Sequence, residues 1–238
     1  MIINSRFNGP PNSGNGGYVG GLMAKQLGDT VEVTLLKPPP LNQELSMAWS
    51  ENTMELSHQN RLIAKAVNAT MDLQPPVIPS MADAVLCETR YPGYQKHVFP
   101  ECFVCGPARG ENDGLRLFTG LSGSKDYVAA PFRTFKDLYD DEGFMLTEFI
   151  WSALDCPGAY AITQIDTEKH LVLGRMTVAV NDAIHIDEKL IVMGWYEGSE
   201  GKKNYSGTAI INSDGVVKAV GDAIWIEIDP AKFISERP

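Results

Sequence analysis

Phe149-Ile150-Trp151-Ser152-Ala153-Leu154-Asp155-Cys156-Pro157-Gly158 sets a single carboxylate inside an otherwise apolar helical stretch. Its counterpart near the N-terminus is Asn12-Ser13-Gly14-Asn15-Gly16-Gly17-Tyr18-Val19-Gly20-Gly21-Leu22. That segment opens a helix on a glycine platform, with no acid inside the helix. Each stretch has what the other lacks.

Working outward, each helical stretch is followed by strands. The first helix starts after Asn15 and reaches about Leu27, where Gly28-Asp29 ends it. Thr30 to Leu36 alternates as a strand that Pro38-Pro39-Pro40 terminates. Glu44–Trp49 and Met54–Thr70 supply further strands, clearest over Arg61–Val67. The second helix spans about Gly143 to Ile162, with a bend expected at Pro157-Gly158. Strands are predicted at Leu171–Val180, Lys189–Tyr196, Tyr205–Asn212 and Val216–Ile228. Ser213-Asp214-Gly215 is a hairpin turn signal between the last two.

The two series correspond. Leu45–Trp49 answers Leu190–Trp195, and Lys65–Ala69 answers Lys218–Ala223. An internal duplication of a helix followed by antiparallel strands is the economical reading. It divides the chain into an N-terminal unit, 1–74, a proline-rich connector, 75–98, and a C-terminal unit, 99–238. A short helix is expected over Met81–Glu88.

Composition bounds the function classes. The 238 residues are 44% hydrophobic and 21% charged, which supports a sizeable core. A formal charge of -10 argues against nucleic-acid binding, which needs a basic face. An anionic coenzyme would need a local cluster drawn from Arg109, Arg116, Lys125, Arg133 and Lys136; taken singly, these read as solvated surface. No apolar run approaches the ~18 residues of a membrane span, and Met1–Arg6 lacks a signal-peptide core. The expectation is a cytoplasmic protein without membrane partners. Cys102-Phe103-Val104-Cys105 has CxxC spacing, but zinc would need two further ligands and only His97 is close in sequence. Gly106-Pro107 does not give the strand-to-helix setting of a redox motif. No metal or other cofactor is therefore expected.

A long apolar helix wrapped by an antiparallel sheet resembles the hotdog fold of the thioesterase superfamily. Phe99–Pro107, followed by Gly114-Leu115-Arg116-Leu117, is similar to the opening strand of such domains, where Cys-Phe-x-Cys-Gly leads into Gly-Leu. Asn12 to Gly17 resembles the Asn…His-Gly-Gly signature at the start of the central helix in acyl-CoA thioesterases. Leu154-Asp155 resembles the Asp-bearing pair about two turns into that helix. The resemblance implies an α+β protein of two tandem hotdog units, each a long central helix wrapped by an antiparallel sheet, with the sheets joined side by side. Asn15 stands where the signature has His, and the N-terminal unit has little room for a first strand beyond Arg6–Asn8.

In the resembling enzymes the site lies between two units, one giving a helix N-terminus and the other a carboxylate. Exposed N–H groups at a helix start can bind an oxyanion, and glycine admits a carbonyl close to them. On that spacing the first helix has Ala24 near the acid position, and the second has Thr147 near the glycine position. Two symmetric sites reduce to one composite site. Its expected catalytic residues are Asp155 as general base and Gly16 and Gly17 as oxyanion platform. Asn12, Asn15, Tyr18, Thr177 and Trp151 are expected to bind substrate or water, and Glu148 is a reserve acid. Asp155 reads equally as a cap for the helix piece opened by Cys156-Pro157. The implied partner is an acyl-CoA or an acyl carrier protein, with homo-oligomers through the sheets. An acyl-binding protein without chemistry and an enoyl-CoA hydratase are the alternatives.

Overall fold

The computed structural model describes residues 1–164 and 169–229. Ten strands form a single sheet in the order β2-β3-β4-β1-β7-β10-β9-β8-β6-β5, with antiparallel pairing throughout. The strands are β1 (Thr30–Leu35), β2 (Ser46–Ser50), β3 (Thr53–His58), β4 (Arg61–Asn68), β5 (Gly120–Leu121), β6 (Val128–Phe132), β7 (Leu171–Val180), β8 (Leu190–Glu200), β9 (Lys203–Asn212) and β10 (Val217–Glu227). Their alternating apolar residues are what a half-buried pleated surface requires.

Two turns set register. The β3–β4 hairpin closes through Gln59 and Asn60, both with positive φ, as a two-residue turn between right-twisted strands demands. The expected β9–β10 turn places Gly215 at φ 82°, and Asn212 Oδ1 accepts from the Asp214 and Val216 amides.

Inside the sheet β1 pairs with β7, with Val31 opposite Val178 and Val33 opposite Met176. Outward from that pair run β1-β4-β3-β2 on one side and β7-β10-β9-β8 on the other, the same succession twice.

Three α-helices complete the described residues: α1 (Gly16–Ala24), α2 (Met81–Glu88) and α3 (Thr147–Thr163). Helix α3 lies against β8, β9 and β10, and α1 packs on it while touching β1, β4 and β7. Helix α3 is therefore buried almost all round, which is why its sequence lacks a polar stripe. The main core gathers Trp151, Leu154, Ile162, Met176, Val192 and Ile210. A second cluster on the opposite face of the sheet joins Ala129, Met193, Trp195 and Ile211 to Ala84 and Cys87 of α2. The proline-rich stretch thus covers a sheet face, its helix opened by a Ser80–Asp83 capping box.

Two expected elements take another form. Phe99–Pro107 and Gly114–Leu117, similar in sequence to an opening strand, form turns and loop, and the strand that follows is only Gly120–Leu121. Ser5–Phe7 is a 3-10 turn, and only Asn8 bridges, to Gly14. Side-chain bonds outcompete a strand there: Asn4 Oδ1 accepts from Arg6 N, while the distant Arg109 guanidinium holds the Arg6 carbonyl and the Asn8 side chain. The second helix starts at Thr147, later than the expected Gly143.

Candidate active site

Helices α1 and α3 run antiparallel across one another at glycine. Gly17 faces Trp151, Ser152 and Asp155, Gly20 faces the Trp151 ring, and Gly21 faces Thr147 and Glu148. A Cβ at Gly17 would stand 2.5 Å from the Trp151 carbonyl oxygen and 2.8 Å from Asp155 Cβ. The glycine run therefore brings two backbones into direct contact, a use the sequence reading assigned instead to substrate approach.

That contact puts Asp155 at the start of α1. Its Oδ2 accepts from the Asn15 side-chain amide at 2.6 Å and from the Gly17 N–H at 3.0 Å. Asn15 is also the N-cap of α1, its Oδ1 accepting from Tyr18 N at 2.9 Å, so both ends of its amide are fixed. Asp155 Oδ1 takes part in neither contact. The Gly16 N–H has no partner among the described residues. Helix α3 continues unbroken through Asp155, so its carboxylate reaches across to α1 and does not cap its own helix.

Electrostatics oppose one another at this carboxyl. Bonds to the Gly17 N–H and Asn15, at a helix N-terminus, favour the anion. Burial disfavours it and wins: with 3% of the residue exposed, the Asp155 pKa is pushed up to about 7, with Cys102 adding to the rise. A carboxyl poised there can exchange protons near neutrality.

The other expected site residues fall into different places. Tyr18 is stacked on Phe7 with centroids 4.0 Å apart, in a cluster with Phe103 and Phe149. Burial, then Glu148, pushes its phenol up to about 12. Trp151 is buried at the helix crossing. Asn12 is exposed in a turn with φ 60° and makes no contact with Asp155. Thr177 lies between Glu32 and Asp222 in the sheet. Its neighbours Met176 and Val178 point into the core with Trp151, whereas Thr177 shares the opposite face with Ala179. Glu148 is held by Lys25, with contacts of 2.7 and 2.5 Å at the far end of α1.

Three of the basic residues considered for an anionic ligand are engaged elsewhere, Arg116 with the Arg109 carbonyl and the face of the Phe118 ring. Arg109 bonds the Glu101 and Arg6 carbonyls, Asn8 and Asp113. Arg133 makes a two-pronged pair with Glu88. The sequence reading also missed a group of thiols. Cys156, next to Asp155 on α3, meets Cys102 and Cys105, and all three sulfurs lie within 4.8 Å of one another. Only the CxxC half of that group has a sequence signal; the third member is 51 residues further on.

Solved structures share this architecture. A TesB protein of Mycobacterium avium subsp. paratuberculosis matches with a TM-score of 0.61 at 13% identity, over 92% of this chain and 89% of that one. A candidate thioesterase of Novosphingobium aromaticivorans gives 0.60 at 10% identity, over 96% and 94%. A candidate thioesterase II of Thermobifida fusca gives 0.57 at 11% identity, over 93% and 91%. No family model matches the sequence, and no curated protein does. The fold is thus that of the hotdog thioesterases, a mixed architecture with a large antiparallel sheet and few helices. No helix among the described residues is long and apolar enough to cross a membrane.

Proposed function

We propose that the protein is a thioester hydrolase acting on an acyl-CoA or on an acyl carrier protein, through one composite site between two hotdog units. Residues 1–74 and 99–238 are the units and 75–98 the connector; 165–168 and 230–238 lie outside the described residues. The repeated strand succession on either side of β1–β7 supports the duplication, with α1 and α3 as the two central helices. Pairing of further copies through the sheet belongs to the same reading, with sedimentation as its measure.

The observation that carries the proposal is the buried Asp155 carboxylate hydrogen-bonded to the first turn of α1. In this reading Gly17 N–H and Asn15 orient the base through Oδ2, leaving Oδ1 to take a proton from water as its oxygen attacks the thioester carbonyl. The Gly16 N–H, at the positive end of α1, stabilises the oxyanion. Collapse breaks the C–S bond, and the proton on Asp155 passes to the departing thiolate. Gly17 thereby serves the base, where the sequence reading gave it to the oxyanion.

The test is turnover on a panel of acyl-CoAs. Asp155→Asn and Asp155→Ala are expected to lower kcat by orders of magnitude while circular dichroism stays native. Near-normal turnover in either variant refutes the assignment. One observation favours the non-catalytic alternative: Asp155 is 3% exposed and its Oδ2 already has two donors. Tight binding of the panel without cleavage would select that reading. The hydratase alternative gains no such support, because the side chain at Asp155 is the Asn15 amide, which transfers no proton.

A further inference from the structure

The three buried thiols have the arrangement of a metal-binding set. Cys102 and Cys156 sulfurs are 3.8 Å apart, and Cys105 completes a triangle with no side longer than 4.8 Å. Zinc–thiolate bonds of about 2.3 Å at tetrahedral angles require sulfurs about 3.8 Å apart. All four cysteines are free thiols; Cys87 belongs to the separate cluster beneath α2.

Backbone geometry points the same way. Cys102-Phe103-Val104-Cys105-Gly106 is a tight loop, with the Gly106 N–H donating to the Cys102 carbonyl at 2.9 Å. His97, the histidine nearest the loop in sequence, is excluded by its own hydrogen bond. Its Nδ1 accepts from Phe99 N at 2.9 Å, which leaves the proton on Nε2.

We propose that Cys102, Cys105 and Cys156 bind one zinc ion, joining the 102–106 loop to α3 beside Asp155. Zinc fits better than copper(I) here on charge. Three thiolates around a divalent ion leave one net negative charge in a buried site, and around a monovalent ion they leave two. Each Zn–S bond replaces an S–H bond and releases its proton to solvent, without electron transfer. Among the described residues no fourth His, Cys, Asp or Glu donor falls within the same span, so water takes the remaining position. The site is independent of the hydrolase reading.

The test uses the full chain, purified under reducing conditions. Elemental analysis should find about one zinc per chain, either as purified or after zinc addition and gel filtration. Zinc-edge X-ray absorption should show three sulfur neighbours at about 2.3 Å. Cobalt(II) loading should give intense thiolate charge-transfer bands. Cys102→Ser, Cys105→Ser and Cys156→Ser should each lose zinc at least about tenfold more readily, while Cys87→Ser retains it and Asp155→Asn retains it even if turnover is lost. Failure of the reduced wild-type chain to take up zinc overturns the proposal, as do sulfur-poor coordination and a Cys102–Cys105 disulfide in the protein as purified. The absorption measurement needs no variant, so poor folding of a serine mutant does not spare the idea.

Discussion

Gly17→Ala concentrates the physics of the helix crossing in one methyl group. That carbon would sit 2.5 Å from the Trp151 carbonyl oxygen, 2.8 Å from Asp155 Cβ and 3.0 Å from Ser152 Cα. The carbonyl oxygen and Ser152 Cα are backbone atoms of a buried helix, so relief requires the two helices to separate. Overpacking of this kind costs roughly 1–3 kcal/mol. Separation also stretches the Gly17 N–H···Asp155 bond from 3.0 Å, worth about 1.5–3 kcal/mol when its acceptor is charged. Alanine returns at most about 1 kcal/mol of helix propensity, less in a first turn. The net loss is about 3 kcal/mol, or roughly 6–12 °C in Tm for a chain of this size. Gly16→Ala is the control. The three atoms nearest its Cβ belong to the Leu173 and Leu35 side chains, and the two at 2.9 Å are terminal methyls of flexible side chains, not backbone. Its expected cost is below about 1 kcal/mol. Urea unfolding of both variants, with matched m-values, measures the difference. Equal stability of the two alanine variants would refute the close-crossing argument.

The carboxyl at this crossing also gives stability a pH dependence. Asp155 titrates at about 7 when folded against an ordinary 3.8, so the folded state alone keeps the proton between those values. The stabilising contribution is full below 3.8 and is lost as pH rises through about 7, by up to about 4 kcal/mol, and Asp155→Asn should abolish the slope in urea titrations. Asn15→Asp keeps the α1 cap but sets a second carboxylate where the amide stood 2.6 Å away. Its expected effect is a further upward shift of the Asp155 titration, read from the carboxyl carbon resonance by NMR. Lys25→Met leaves the Glu148 side chain, 8% exposed, without its cation. Destabilisation of about 2 kcal/mol is expected, below a fully buried pair because Lys25 is a third exposed, and Glu148→Gln in the same chain should recover most of it by thermal melt.

How much was legible in the sequence divides along physical lines. Strands β7 to β10 were readable because alternation and the Ser213-Asp214-Gly215 turn are local signals. That the start of the first helix meets Asp155 followed from complementary defects in two helices, once a fold was supposed, whereas the Asn15 side chain was expected to serve substrate or water. What local pattern does not encode is which face a strand residue takes, and Thr177 accordingly falls on the side away from α3. Nor does glycine announce its use: Gly17 and Gly21 read as an open platform and serve as a seat for another helix. The strand expected over Arg6–Asn8 gave way to a 3-10 turn because Arg109, more than 100 residues on, takes the Arg6 carbonyl. Cys156 was invisible as a partner of the CxxC pair for the same reason of distance in the chain.

The β1–β7 pairing has a consequence for how the molecule is made. Its strands are separated by over 130 residues, and Asn15 meets Asp155 across 140. During synthesis β4, β3 and β2 can assemble on β1 from chain already emerged, whereas the other edge of β1 waits for most of the second half. Throughout that interval an unpaired strand edge and the bare glycine face of α1 are exposed together, the condition under which nascent chains pair with one another. The candidate site is then among the last features to form, since both of its halves must arrive by slow, non-local closure.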